Sequence, residues 1–290
     1  MTTKTLNIPA PTSNADQIAY WNSAVADRWA RRQAEIDAMM SPFTDVLLGA
    51  ANLGPEGPWR ILDVGCGAGE TTLLTAQIGH EVTGLDVSTS LLKLAKARAQ
   101  KADLASVTFF LGDASRLFID PPFDLIMSRF GVMFFDDPPK AFANLAKMTK
   151  TGGRIVFVCW RAPAQNQWVT LPMSALDGLV EAGGAKQVEG PGPFAFADPD
   201  KVRSILKGAG FDNIKITPFD GDMTMGGAKG VQAAAAYIAE IGPAARAIAE
   251  LPKEKRPELI ARLESAIAPL MCGESLILQG GIWVVEAVRV

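Results

Sequence analysis

Short apolar runs alternate with amphipathic stretches from Trp59 to Val158. Arg60-Ile61-Leu62-Asp63-Val64 reads as a buried strand running into a glycine-rich turn. Glu81–Leu85, Val107–Phe110, Phe123–Met127 and Arg154–Val158 repeat the pattern. Short strands that are apolar on both faces suit a parallel sheet covered by helices on either side. The segments between them carry helical spacing. After Ser88, a residue suited to capping a helix, Leu91, Leu94 and Ala95 share one face. Lys93, Lys96, Arg98 and Lys101 fall largely elsewhere, as a solvated face. Another helix is expected to start at Pro138-Pro139, bury Phe142, Leu145 and Ala146, and stop at Gly152-Gly153. Repeated β-α units of this kind predict a doubly wound α/β sheet with right-handed crossovers.

Two regions stand outside that repeat. Residues 14–50 predict N-terminal helices, with Trp21, Val25 and Trp29 at spacing i, i+4, i+8. Residues 228–271 are Ala-rich and helical in pattern, broken by Gly242-Pro243, Pro252 and Pro257, and lie between late strands at Asn213–Pro218 and Ile282–Val288. An insertion between two strands of one sheet must lie over an end of it, where lids and dimer surfaces are found. The expectation is one domain over residues 1–290: a helical cap at 14–50, a core at 59–220 plus 276–290, and a lid at 228–271. The lid also offers a face on which two copies could pair as a homodimer.

Composition narrows the chemistry. The 290 residues hold 28 Lys+Arg against 31 Asp+Glu, a net charge of −3, which argues against a nucleic-acid partner. One His cannot build a His-based metal site, so no metal is expected. Cys66, Cys159 and Cys272 are scattered and odd in number, indicating neither a disulfide framework nor a zinc ribbon. Met1–Asn14 lacks a charged-then-apolar leader pattern, and apolar runs such as Ile155–Trp160 fall far short of the roughly 20 residues that cross a bilayer. A cytoplasmic protein without membrane insertion is expected.

The strongest motif is Leu62-Asp63-Val64-Gly65-Cys66-Gly67-Ala68-Gly69-Glu70. Its alternate glycines permit a sharp turn after the strand and let backbone N–H groups approach a ligand. The dinucleotide fingerprint needs a glycine where Glu70 stands, and Asp63 would repel a diphosphate but attract an ammonium. Asp86 ends the next strand, 21 residues after Gly65, where a carboxylate can accept both ribose hydroxyls. Leu111-Gly112-Asp113-Ala114 follows strand three, and its carboxylate could accept a purine amine. S-adenosylmethionine fits the description of a ligand with an ammonium, a ribose diol and an adenine but no phosphate.

Asp63–Gly69, Asp86, Gly112-Asp113 and Phe123–Phe135 together resemble a class I S-adenosylmethionine-dependent methyltransferase. The resemblance is to the bacterial small-molecule group similar to the ubiquinone and menaquinone C-methyltransferases. It extends to Ala19-Tyr20-Trp21-Asn22 with Trp29, to Ser128–Phe135, to Val158-Cys159-Trp160-Arg161 with Asn166 and Trp168, and to Pro193–Pro199. It implies a Rossmann-like sheet of seven strands in the order 3-2-1-4-5-7-6, with strand seven antiparallel. It further implies that Gly65, Gly67 and Gly69, with Cys66 between them, line the methionine moiety of the cofactor, with Asp63 near its ammonium. Asp86 would hold the ribose, Val87 would lie against the adenine, and Gly112, Asp113 and Ala114 would meet its edge. Ser128 would offer its carbonyl to the ammonium, with Arg129 beside it, and Tyr20 and Trp29 would cap the cofactor. Phe130, Met133, Phe134, Trp160, Trp168 and Phe196 are the candidates to meet a small, mainly apolar or aromatic methyl acceptor, with Met223, Met225 and Met271 as adaptable lid contacts.

Each residue also has a plainer role. Asp113 could cap a turn, the N-terminal tryptophans and the phenylalanines could be core, and Arg129 could pair with Asp136 or Asp137 instead of an acidic substrate. His80 reads as a solvated turn residue at the edge opposite the ligand, and Cys66 as a small filler. With no His well placed as a base, transfer would rest on positioning. Two other functions share the pattern: a non-catalytic S-adenosylmethionine-binding protein, and an NAD(P)-dependent oxidoreductase, which Glu70 and the lack of a Tyr-x-x-x-Lys pair oppose.

Overall fold

Arg60–Val64 forms β1, and all of it except Arg60 is buried. A computed structural model describes residues 14–54, 57–175, 190–227, 229–242, 245, 248 and 251–290. The other strands are β2 (Glu81–Asp86), β3 (Val107–Leu111), β4 (Phe123–Arg129), β5 (Thr149–Trp160), β6 (Phe211–Met225), β7 (Met271–Cys272) and β8 (Ser275–Arg289). They form one sheet in the order β3-β2-β1-β4-β5-β8-β6. The first five strands are parallel, and β8 runs antiparallel to both β5 and β6. The sheet thus has eight strands and not the expected seven. The addition is the two-residue β7, which folds back on β8 through the left-handed Gly273. Leaving β7 aside, the order is the expected one. Ile61–Val64 of β1 and Leu125–Ser128 of β4 are buried, whereas the edge strand β3 has no buried residue, the contrast between covered and edge strands that a doubly wound sheet requires.

Ten helices surround the sheet among the described residues: α1 (Asn14–Trp21), α2 (Ala24–Arg31), α3 (Gln33–Ala51), α4 (Glu70–Gln77), α5 (Thr89–Lys101), α6 (Pro138–Met148), α7 (Gln167–Ala175), α8 (Pro199–Gly208), α9 (Gly230–Glu240) and α10 (Arg256–Ile267). Ser88 caps α5 as expected, its Oγ accepting from Leu91 N. α6 is capped by Asp137 and ends earlier than the sequence suggests. Thr149, β-branched and extended, starts β5 directly, and Gly152-Gly153 lie inside that strand. There the left-handed Gly152 accompanies a shift in the β4–β5 register.

α3 buries Ile36, Met39, Met40, Phe43, Leu47 and Ala51 along one face and packs over β4, β5 and β6. Pro42 cannot donate to the carbonyl of Ala38, and Ser41 Oγ donates to it at 3.1 Å. β6 and β8 are far longer than the expected Asn213–Pro218 and Ile282–Val288. β5 ends at Trp160 opposite Ile282, so Asp220–Met225 and Leu276–Gly281 continue beyond it as a two-stranded arm. α9 and α10 pack together in the segment that joins the ends of this arm. Pro243 of the expected lid lies outside the described residues. His80 is not solvated: it is buried, and its Nδ1 accepts from Trp59 N at 3.2 Å. Among the described residues no helix is long and apolar enough to cross a membrane.

Candidate cofactor and acceptor site

The loop after β1 is built from left-handed backbone. Gly65, Gly67 and Gly69 have φ of 70°, 53° and 85°, a region that favours glycine. Gly65 has a second reason: the chain after β4 passes directly over it. A Cβ on Gly65 would lie 2.7 Å from Gly131 Cα, and one on Gly131 would lie 2.5 Å from Val64 O. Ser128 fastens this crossing, donating from Oγ to Val64 O at 2.7 Å and accepting from Gly131 N at 3.1 Å. The loop's own N–H groups are ordered by β2, with Gly65 N and Cys66 N donating to Leu85 O and Gly67 N donating to Asp86 Oδ2. Cys66 is buried, with its sulfur close to Gly84; burial pushes its thiol well above the ordinary range, which fits a filler.

Asp63 lies beneath the loop, fully buried. Its Oδ2 accepts from the hydroxyls of Thr71 and Thr72, both at 2.6 Å, while Oδ1 has no hydrogen-bond partner among the described residues. Burial raises its carboxyl above the usual range, opposed by the two threonines and by Arg129. Leaving such a group unsatisfied costs roughly 1–3 kcal/mol, a penalty that a bound donor removes. Asp86 Oδ1 accepts from Ser88 N, so its two oxygens order the turns on either side of the ligand edge; burial raises this carboxyl too. Asp113 Oδ1 accepts from Ser115 N and so caps the turn after β3. Asn144 Nδ2 donates to Ala114 O and Leu117 O, and Gly112 packs against Leu117. Val87 O accepts from Asn22 Nδ2 at 2.8 Å.

Arg129 does not pair with Asp136 or Asp137. Asp136 accepts from Asn14 N and Asp137 caps α6, whereas Arg129 Nη1 reaches Glu70 Oε2 at 2.8 Å and Thr44 Oγ1 at 2.5 Å. β4 delivers Arg129 to the glycine-loop side of the sheet edge, so a carboxylate 59 positions away in sequence is nearer than those seven or eight residues on. Glu70 also lies beside Asp37 of α3. Burial and that second carboxylate push Glu70 up to about 7, against the pull of Arg129. Between its ordinary value of 4.5 and about 7, the folded chain holds a proton that the unfolded chain has released. Glu70 therefore adds stability at low pH that is lost as pH rises through about 7, with a slope of at most about 1.4 kcal/mol per pH unit. Glu70→Gln is expected to flatten urea-unfolding stability between pH 5 and pH 7; an unchanged slope would exclude Glu70 as its source.

The aromatic candidates separate into two groups. Phe130, left-handed at φ 64°, stacks on Trp160 with centroids 4.2 Å apart, and Trp160 meets Trp168 at 4.7 Å. Met133 Sδ accepts from Trp160 N, and Phe134 meets Trp21, which in turn contacts Tyr20 and Trp29. Phe196 is not in this cluster. It is fully buried on Phe142 and Phe157, because alternation along β5 sends Phe157 and Trp160 to opposite faces. The residue that sequence reasoning missed is Phe43, edge-on to Phe130, Trp160 and Phe219 at 5.2–6.4 Å. Its signal was present in the apolar face Ile36–Met40–Phe43–Leu47 of α3. Met223 is buried in the same region, against Gly280. Thr71, Thr72, Asn22 and Glu70 were likewise given no role at this site.

Residues 62–157 match the methyltransferase domain family. An uncharacterized protein of Mycobacterium tuberculosis is 34% identical over 125 residues, which is 43% of this chain and 44% of that protein, so the match spans less than half of the relative. A demethylmenaquinone methyltransferase of Renibacterium salmoninarum is 26% identical over 219 residues, 67% of this chain and 90% of that protein. The fold matches magnesium protoporphyrin IX methyltransferase from Synechocystis, solved with bound SAH, with a TM-score of 0.56 at 16% identity over 96% of this chain and 99% of that one. The glycine loop, the sheet order and the family match thus agree: residues 62–157 carry a methyltransferase domain, and the chain is similar to the class I S-adenosylmethionine-dependent methyltransferases.

Proposed function

We propose that this chain binds S-adenosylmethionine at the glycine loop and transfers its methyl group to a small, mainly apolar or aromatic acceptor. The observation that carries the reading is Asp63 Oδ1, a buried carboxylate oxygen beneath the loop with no partner among the described residues. A cationic amino group satisfies that atom and a diphosphate does not. Asp63, Gly65, Gly67 and Gly69 would hold the amino-acid end, with Ser128 and Arg129 nearby. Asp86 would hold the ribose, and Val87, Gly112, Asp113 and Ala114 the adenine, with Tyr20 and Trp29 over them. When bound, the cofactor supplies a methyl group made electrophilic by its sulfonium charge. The chain's part is to hold the acceptor close and aligned and to exclude water. Phe43, Phe130, Met133, Trp160 and Trp168 supply apolar walls suited to that task, and Phe134 ties them to the cap. The lone His80 is buried beside Trp59 and takes no part.

Calorimetry with S-adenosylmethionine, its demethylated product and NAD tests the cofactor. Binding of NAD alone would overturn the reading. Methyl transfer to a panel of quinols, phenols and amines tests the acceptor class, and cofactor binding without transfer to any would mark a sensor. With an active acceptor in hand, Phe130→Gly relieves the left-handed strain and removes the ring. Its cofactor affinity is expected to stay within about twofold while kcat/KM for the acceptor falls about tenfold or more, roughly 1.4 kcal/mol of lost positioning. An unaltered kcat/KM would remove the aromatic cluster from the acceptor site.

A further inference from the structure

The N-terminal helices are tied to the cofactor loops directly through Asn22 and indirectly through Asp37, which holds Arg98 of α5 against the glycine loop. At the first, Asn22 follows α1. Its Nδ2 donates to Ile18 O of its own helix and to Val87 O, both at 2.8 Å, and its Oδ1 accepts from Thr89 N at 3.0 Å. A side-chain amide so engaged bridges the chain on both sides of Ser88, immediately after Asp86, and fixes where Val87 stands. At the second, Arg98 of α5 spans two elements. Its Nη1 donates to Ala68 O at 3.0 Å, inside the glycine loop, and its Nη2 pairs with Asp37 Oδ2 of α3 at 2.7 Å. Gln33 Nε2 holds the other oxygen of Asp37. The first point bears on the loop assigned to adenosine and the second on the loop assigned to the amino-acid end.

We infer that the N-terminal cap is a two-point clamp, in which Asn22 positions the adenosine loop and Arg98, held by Asp37, positions the glycine loop, each point governing affinity for its own half of the ligand. This rests on the cofactor reading above. Both are positioning residues, acting through the loops they hold and not on the reacting atoms. The two points sit at the start of α5, at Thr89, and nine residues along it, at Arg98, and share no hydrogen bond, so loosening one leaves the hydrogen bonds of the other in place. An aspartate at position 22 would keep an acceptor for Thr89 N but set a carboxylate against the Val87 carbonyl. A lysine at position 98 would keep the charge facing Asp37 but could not serve Asp37 and Ala68 O with two fixed nitrogens.

The test compares two ligands by calorimetry on the full chain. S-adenosylhomocysteine has both halves, and 5′-methylthioadenosine lacks the amino-acid end. Asn22→Ala is expected to weaken both by a similar factor, about tenfold. Asn22→Asp should be no better than alanine. Arg98→Met is expected to weaken S-adenosylhomocysteine about tenfold and leave 5′-methylthioadenosine within about twofold, with Arg98→Lys between wild type and methionine. Thermal melting without ligand reports any general loss of fold. Equal losses for both ligands in both variants, or losses that simply follow the melting temperature, would overturn the clamp, as would unaltered affinities. Failure of the wild-type chain to bind either ligand would instead overturn the cofactor reading on which the clamp rests.

Discussion

A Gly131→Ala variant is expected to lose about 3 kcal/mol of stability and, with it, most of its cofactor affinity. The reason is not backbone conformation, since Gly131 has φ −80°, which any residue adopts. It is the crossing of two chains. The new methyl carbon would sit 2.5 Å from Val64 O, 2.8 Å from Gly65 Cα and 3.0 Å from Ser128 Oγ. Two of those neighbours are backbone and cannot swing aside as the tip of a side chain can. Either the turn after β4 lifts, breaking the hydrogen bonds through Ser128, or the glycine loop is displaced from the ligand edge. Gly67→Ala makes the natural comparison. No atom lies within 4 Å of its added carbon, so its cost is the left-handed backbone alone, about 1 kcal/mol. Urea midpoints of the two variants, measured beside cofactor titrations, check the order. Equal stabilities would mean that the crossing is looser than the contacts described.

The second large effect separates binding from folding. Asp63→Asn is expected to weaken cofactor binding by about a hundredfold, roughly 2.7 kcal/mol, because a buried charge pairing is lost. The unliganded protein should be as stable as the wild type or more so. An amide oxygen still accepts from Thr71 and Thr72, and the cost of burying a charge disappears. The pH dependence follows from the same burial. The raised carboxyl keeps its proton in the folded state above the pH at which the unfolded chain releases it, so unliganded stability falls as pH rises through the folded value. Cofactor affinity moves the other way, since an ammonium prefers the charged form. Calorimetry and melting at several pH values read both. A variant that lost stability while keeping its affinity would make Asp63 a purely structural residue.

The pattern of apolar runs gives β1 residue for residue and β2 through β4 to within two. For the covered strands β1 and β4, burial on both faces leaves few alternatives for where a strand can stop, and the edge strand β3 is bounded by its pairing with β2. The pattern did less well where stopping depends on a partner. β6 and β8 continue because each finds the other beyond the end of β5, and neither sequence alone contains that fact. His80 looked like a polar residue in a turn. Its imidazole is buried because the N–H of Trp59 needs an acceptor there. For Arg129, sequence proximity offers Asp136 and Asp137 as one alternative, although the crossing at Gly65 brings α4 and Glu70 nearer in space. Phe196 shows the same limit: an aromatic residue in a late loop reads the same whether it faces a ligand or the opposite layer of the sheet. The glycine loop was legible because it needs no such knowledge. Its conformational demand is local and falls on the residues that meet it.

The paired ends of β6 and β8 also bear on how this chain can change. The segment between Met225 and Leu276 leaves and re-enters along one antiparallel pair, so its ends are held together whatever lies between them. Lengthening such an excursion is inexpensive, since each doubling of a closed loop adds only about 0.6 kcal/mol. The family match over residues 62–157 stops before this arm begins. None of the hydrogen bonds of Asp63, Asp86 and Ser128 described above involves a residue of that segment, so a change in its length falls away from them. The topology lets one contiguous piece of chain vary in length while the glycine loop keeps its own hydrogen bonds to β2.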